Sequence, residues 1–375
     1  MTPETMAFVP GLAGIPAAES AISYIDGDKG LLEYRGYSIE ELAQKSSFEE
    51  VCWLLLTGEL PTDEQLAGFR SHLAEHRSLP DRLVKVIDAM PGNGHPMDVL
   101  QAGLAALGMF NEKPDFRDPD EVDAACVRIL AATPVIIATF QRLRNGKDLV
   151  APDPDLGHAA NFLWMLTGQV PADLASRVFD VALILHADHT MNASTFAARV
   201  VASTEADPYT VCSSAIGALH GPLHGGANER VLEQLKDIGA PENVADWLDA
   251  KLAVKAKIMG FGHRVYHVKD PRAKILQGLA RQLFEELGST PVYDTALTLE
   301  AEMEQRVGAR GIYPNVDFFS GIVYAKLGIP TDMFTPVFGL SRVAGYLAHW
   351  REQMQDNKIF RPRQIYVGEH GRTIG

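Results

Sequence analysis

Apolar residues in this chain recur at three- and four-residue intervals almost from end to end, and alternation at every second position is nearly absent. After Thr62, for example, Leu66, Phe69 and Leu73 fall on one helical face until Pro80 closes the run. The helix starts are marked as well. Ser38-Ile39-Glu40-Glu41, Ser47-Phe48-Glu49-Glu50 and Thr62-Asp63-Glu64-Gln65 each set a hydroxyl three residues before a carboxylate or amide, the capping-box pattern that satisfies unpaired amides at a helix N-terminus. The same periodicity predicts helices over 96–108, 120–144 with a kink at Pro134, 156–167, 172–187, 192–205, 208–219, 227–238, 242–256, 271–287, 292–307, 316–327 and 332–355. Only 20–25, 30–34 and 363–368 read as extended. The expected fold class is all-α, with at most short hairpins near the N-terminus.

Composition narrows the function classes. With 375 residues, 46% of them hydrophobic, the chain is long enough for a sizeable core and about two domains. Its 34 basic and 48 acidic residues leave a net charge of −14, without a Lys/Arg run to neutralise a phosphate backbone, so nucleic acid is not an expected partner. A polyanionic ligand must meet locally clustered positive charge. No stretch approaches about 18 uninterrupted apolar residues and the first twenty residues lack a basic start, so neither a membrane span nor secretion is expected. Cys52, Cys126 and Cys212 are few, far apart and set in apolar surroundings, as expected of reduced thiols in the cytoplasm.

The chemistry concentrates in three segments. Lys257-Ile258-Met259-Gly260-Phe261-Gly262-His263-Arg264-Val265-Tyr266, followed by Asp270-Pro271-Arg272, puts a histidine and several cations on a glycine-loosened loop of an otherwise acidic protein. No strand precedes Gly260-Phe261-Gly262 and a third glycine is missing, which removes a dinucleotide-binding reading. Upstream, Gly221-Pro222-Leu223-His224-Gly225-Gly226-Ala227-Asn228-Glu229 sets a histidine among glycines; downstream, Pro314-Asn315-Val316-Asp317 offers a carboxylate. His220 and His224 have the four-residue spacing of a zinc pair, but the intervening glycines and proline break the helix that such a pair needs, and His220 reads more simply as an interhelical histidine. His186, Asp188 and His189 end an apolar helix, either as polar caps or as ligand contacts. Asp317 reads equally as a first-turn acid, and Arg342 and Arg361 as surface charges.

These motifs, in this order and spacing, resemble the citrate synthase family, in particular its shorter bacterial and archaeal form. The resemblance spans nearly the whole chain, through Phe48-Glu49-Glu50, Gly94-His95-Pro96-Met97, Leu185-His186-Ala187-Asp188-His189 with Asn192-Ala193-Ser194-Thr195, the three segments above, Phe334-Thr335-Pro336 and Arg361-Pro362. It implies an all-α homodimer with a large domain from 1–225 and 329–375, a small domain over 226–328, and an active site in the cleft between them. It also implies a reaction, the condensation of acetyl-CoA with oxaloacetate and hydrolysis of citryl-CoA, that needs no metal and no permanently bound cofactor.

By the same resemblance Asp317 takes a proton from the acetyl methyl group and His224 hydrogen-bonds the thioester oxygen. A carboxylate is a weak base against a carbon acid, each unit of mismatch costing about 1.4 kcal/mol, so the developing oxygen charge has to be stabilised. His263 polarises the ketone of oxaloacetate, while His189, Arg272, Arg342 and Arg361 hold its carboxylates, Arg361 arriving from the other subunit. The backbone of Ile258, Met259, Gly260, Phe261 and Gly262 cradles the CoA adenine, with Lys257, Arg264, Lys269 and Asn315 as possible CoA contacts. His267 stands where relatives carry a basic residue, so the CoA phosphate contact expected there is weaker or pH-dependent, and Arg363 competes with Arg361, which holds the Arg-Pro position of the family motif. Three alternatives accompany the reading: 2-methylcitrate synthesis from propionyl-CoA, since one methylene is worth only about 1–3 kcal/mol of discrimination, a non-catalytic CoA-binding homologue, and a metal-dependent hydrolase with a coordinated His220/His224 pair, which the glycines disfavour.

Overall fold

The structure, a computed structural model, describes residues 8–110, 114–263 and 265–374. Three short antiparallel strands near the N-terminus, β1 (Ser23–Asp26), β2 (Leu31–Tyr34) and β3 (Tyr37–Ser38), pair in sequence order, with Tyr24 opposite Glu33 and Ile25 opposite Leu32. Helices follow: α1 (Ile39–Lys45), α2 (Phe48–Thr57), α3 (Asp63–Glu75), α4 (Asp81–Asp88), α5 (Pro96–Gly108), α6 (Pro119–Leu143), α7 (His158–Thr167), α8 (Asp173–His186), α9 (Ala193–Ala202), α10 (Pro208–His220), α11 (Ala227–Ile238), α12 (Val244–Ala253), α13 (Pro271–Leu287), α14 (Pro291–Val307), α15 (Val316–Lys326) and α16 (Phe334–Gln355). The mainly helical expectation with a short N-terminal sheet holds.

Local chemistry explains most boundaries. Ser47 with Glu50 and Thr62 with Gln65 close both halves of their capping boxes. At Ser38 only the hydroxyl half forms, because Glu41 turns instead to Lys45 at 2.6 Å. Helix α6 continues through Pro134 rather than ending there. Every residue from 129 to 140 is buried, and Thr133 returns its hydroxyl to the Ile129 carbonyl at 2.6 Å, so packing supports the turn where proline lacks its amide. Helix α6 is long and apolar enough to cross a membrane, yet 78% of its most apolar window is buried, which makes it a core helix of this fold.

Two expectations fail. Helix α4 was not anticipated, because its two turns bury only Leu83 and Ile87 and supply too little periodicity to read. Residues 363–368 form no strand; they lie exposed, and no neighbouring segment offers a paired edge among the described residues.

Helix α16 is the centre of the core, buried at every position from Phe334 to Trp350, with α2, α6, α8, α9 and α10 against it. Gly345 lets it approach the end of α8, since a Cβ there would stand 2.5 Å from the Ala187 carbonyl oxygen. A second group, α11 to α15, packs mainly on itself. It meets the first through α13 against α1 and α8, and through α11 against α16. The candidate chemistry lies along that meeting line.

Candidate active site

The loop over 258–262 is clamped on both sides. Asn315 N donates to the Gly260 carbonyl at 2.9 Å, Gly262 N donates to the Tyr313 carbonyl at 2.9 Å, and Met259 N donates to Gln234 Oε1 at 2.8 Å. Gly260 sits at φ +80, where a Cβ would stand 2.8 Å from both the Phe318 and Val231 side chains, so only glycine fits. Ile258 and Phe261 are buried beneath this backbone. The same clamp positions Asp317: Asn315 caps α15, accepting from Asp317 N at 3.1 Å and donating through Nδ2 to the Gly262 carbonyl at 3.0 Å. Both ends of the Asn315 amide are thus engaged with backbone. Lys269 is also engaged, with Glu300 at 2.6 Å and Gln277 at 2.7 Å. Lys257 is exposed and has no ion-pair partner among the described residues. Arg264 lies outside the described residues.

His263 follows the loop and turns its Nδ1 inward, where it accepts from Val265 N at 2.9 Å and Tyr266 N at 3.2 Å. An Nδ1 that accepts two amides carries no proton, so the proton of the neutral ring is on Nε2. Burial and the nearby Arg272 push this imidazole down to about 4. The His263, Tyr266 and His189 rings form one cluster, with centroids 4.8 to 5.7 Å apart. Within it the Tyr266 hydroxyl and His189 Nε2 are buried without a partner among the described residues. Such groups call for a polar ligand. Burial, with Arg272 next, holds His189 well below the usual imidazole range.

Two buried guanidiniums adjoin this cluster. Arg272 is gripped by Asp270, Nε at 3.1 Å and Nη2 at 2.8 Å; burial opposes its charge, but the carboxylate outweighs it and raises its pKa. Arg342 donates Nε to the His186 carbonyl at 2.7 Å and lies over the Phe338 ring, and no carboxylate pairs with it among the described residues. A fully buried, unpaired guanidinium is costly unless an anion completes it. His186 itself is structural, its Nδ1 2.7 Å from the Ala182 carbonyl.

His224 shows the opposite tautomer. Its Nε2 accepts from Ser194 N at 3.3 Å and lies 2.8 Å from Ser194 Oγ, so the ring proton is on Nδ1. Asn192 caps α9 and takes Ser194 N at 3.1 Å, and Tyr346 donates its hydroxyl to Ser194 Oγ at 2.7 Å. Burial, aided by Arg342, pushes His224 down to about 4. Burial raises Asp317 to about 6 against the pull of Arg272 and Arg342. The same two guanidiniums therefore act on the histidines and the carboxylate alike. His220 turns away to Asp98 at 3.3 Å and stacks on His95, so it shares no ligand position with His224. A cavity of about 590 Å³ bounded by Trp53, Phe69 and Arg351 contains none of these groups.

The model of the citrate synthase C-terminal domain matches residues 11–363. Citrate synthase of Synechocystis sp. is 54% identical over 370 residues, covering 99% of this chain and 93% of its own. The chain belongs to the citrate synthase family. It is an enzyme of that activity, in a family with no permanent cofactor and with acetyl-CoA as a substrate. The solved citrate synthase of Pyrobaculum aerophilum superposes with a TM-score of 0.92 at 41% identity, covering 97% of this chain and 93% of that one. A ternary complex of carboxymethyl coenzyme A and oxaloacetate with the citrate synthase of the archaeon Thermoplasma acidophilum superposes at 0.90 with 34% identity, covering 96% of both chains.

His189, His224, His263, Arg272, Asp317 and Arg342 thus lie within one another's electrostatic reach, and Arg361 does not join them. Arg361 is exposed, just beyond Phe360, whose amide donates to Ser203 Oγ at 3.1 Å. Ser203 ends α9, whereas Ser194 begins it, about 15 Å away along a ten-residue helix. Ser194, Tyr266 and Tyr346 were not assigned roles from the sequence. The signal for Ser194 was present in Asn192, a helix-capping residue before an apolar run.

Proposed function

We propose that this enzyme condenses acetyl-CoA with oxaloacetate through Asp317, His224 and His263, and then adds water to the thioester carbonyl so that CoA leaves as a thiol and citrate is released. The complementary tautomers carry the assignment. His224 presents an Nδ1–H to a thioester oxygen, because Ser194 occupies Nε2, and His263 presents an Nε2–H to a ketone, because two backbone amides occupy Nδ1. Both rings stay neutral at physiological pH, so each donates a hydrogen bond to developing negative charge without surrendering a full charge beforehand. Asp317 removes the methyl proton, and its raised pKa makes it a better base than an exposed carboxylate.

Arg342, Arg272 and His189 receive the oxaloacetate carboxylates, a role supported by the unpaired guanidinium and the unpartnered imidazole nitrogen. The backbone over 258–262 receives the adenine, with Lys257 as the free cation nearby. In the domain division proposed here, residues 226–328 close over a large domain built from 1–225 and 329–375, consistent with α11 to α15 packing mainly on one another. The active species is a homodimer in which Arg361 of one subunit completes the site of the other. Its exposed position, followed by exposed Ile365, Tyr366 and Val367, supports a tail that needs a second surface. Three buried free thiols suit a reducing cytoplasm.

The direct test is CoA-thiol release with oxaloacetate, comparing kcat/KM for acetyl-CoA and propionyl-CoA. A higher value with acetyl-CoA is expected; a higher value with propionyl-CoA would assign 2-methylcitrate formation, and release with neither would overturn the catalytic assignment.

A further inference from the structure

The turn between β1 and β2 reaches the loop that follows His263, and the contact is close. Gly27 accepts from His267 N through its carbonyl at 3.0 Å. A Cβ on Gly27 would stand 2.8 Å from the Val265 carbonyl carbon and overlap its oxygen, so backbone meets backbone with no room for a side chain. Asp28 Oδ1 lies 2.6 Å from His267 Nδ1, and a Cβ on Gly30 would stand 2.8 Å from Val268 Cγ2. The contacted residues are those whose amides hold the imidazole: Val265 N and Tyr266 N both donate to His263 Nδ1. The strands flanking the turn act on the other half of the histidine cluster. Ser23 donates its hydroxyl to Asp188 Oδ2, and Tyr34 donates to the Asp188 carbonyl at 2.9 Å, directly before His189.

We infer that Gly27 and Asp28 are positioning residues for oxaloacetate recognition, the hairpin turn seating the 265–268 backbone so that His263 and His189 meet one ligand in register. The inference rests on the assignment of His263 to the ketone oxygen. A side chain at Gly27 displaces Val265, and with it the two amides that aim the ring. Asp28 secures the same contact from the surface. Neither residue lies on the 258–262 loop; Gly27 acts through the Val265 backbone, so its effect falls on oxaloacetate, whereas Asp28 acts through His267, where a CoA phosphate contact is also expected, so both KM values are compared for its variants.

The test compares Gly27→Ala, Asp28→Ala and Asp28→Asn by steady-state kinetics, by calorimetric binding of oxaloacetate alone and by thermal melting, with His263→Ala as a control. Gly27→Ala is expected to raise the oxaloacetate KM and Kd by about tenfold to a hundredfold, the usual cost of misplacing a binding group by an ångström, while the acetyl-CoA KM stays near its original value. Asp28→Ala is expected to raise the oxaloacetate KM about two- to fivefold, within the range of a single side-chain hydrogen bond, and Asp28→Asn to recover most of it because its amide oxygen still accepts from His267. Unchanged oxaloacetate binding in folded Gly27→Ala and Asp28→Ala overturns the inference. So does a uniform loss of kcat and both KM values with a lowered melting temperature. If Gly27→Ala does not fold, the Asp28 pair decides. Full oxaloacetate affinity in His263→Ala identifies a failure of the underlying assignment instead.

Discussion

At the scale of single residues, the site depends on groups whose protonation equilibria burial shifts away from their values in water. Asp317 is raised by burial from 3.8 to about 6, so its base form fills only above that pH. The kcat/KM for acetyl-CoA at saturating oxaloacetate is expected to fall on the acid side with a midpoint near 6, while His224 and His263, both pushed down to about 4, add no limb above it. Asp317→Asn is expected to lower kcat by about 10²–10⁴ with oxaloacetate affinity nearly intact, as measured by turnover and calorimetry. The same shift bears on stability. Between 3.8 and about 6 the native state binds more protons than the unfolded chain, so stability falls as pH rises through that window. The melting temperature of Asp317→Asn relative to the parent should therefore rise between pH 4 and pH 7. Arg342→Met separates binding from folding: it removes an unpaired buried charge, so melting is expected to be unchanged or higher, whereas oxaloacetate binding weakens by about 2–5 kcal/mol.

At the scale of elements, backbone contacts determine where side chains arrive. The loop over 258–262 is held by Gln234 of α11 and by the segment entering α15, so the backbone proposed to receive the adenine is tied to the helix that carries Asp317. Gly260→Ala would drive a methyl group into Phe318 and Val231 at a φ of +80. An expected loss of about 1–3 kcal/mol in denaturant unfolding, with a raised acetyl-CoA KM, follows from overpacking and strain together. Most helices were legible because their capping residues and apolar spacing act within a few residues of one another. Helix α4 was missed for the corresponding reason, as two turns with two buried residues carry little pattern. The continuity of α6 through Pro134 depends on burial by neighbours, which no local pattern encodes.

At the scale of the whole molecule, the assignment of Arg361 across a dimer interface has a direct test. A hybrid of Asp317→Asn and Arg361→Leu subunits contains one site with both a native Asp317 and a native partner arginine, provided that Arg361 acts in trans. Mixing the two inactive homodimers under conditions of subunit exchange is then expected to restore thiol release to about half of the hybrid's sites, since oligomer symmetry gives each dimer two equivalent sites. No recovery despite hybrids detected by native mass spectrometry would place Arg361 within its own subunit's site or outside catalysis. Its position beyond Phe360, at the opposite end of α9 from Ser194, motivates the experiment.

Periodicity and capping residues determined the helical class, most element boundaries and the short N-terminal hairpin, because these depend on contacts between near neighbours in the chain. Motif resemblance identified the family and its expected residues, including Asp317, His224, His263 and the arginines. What the sequence left open was the state of those residues. That His224 Nε2 accepts an amide, which leaves the ring proton to Nδ1, depends on Ser194, thirty residues away. That Asn315 is tied to the Gly262 carbonyl and Lys269 to Glu300 depends on residues distant in the chain. The contact between Gly27 and the loop after His263 joins segments more than two hundred residues apart. Tautomers, pKa shifts and close backbone approach arise from groups that only packing brings within hydrogen-bonding range, and tertiary structure therefore decided them.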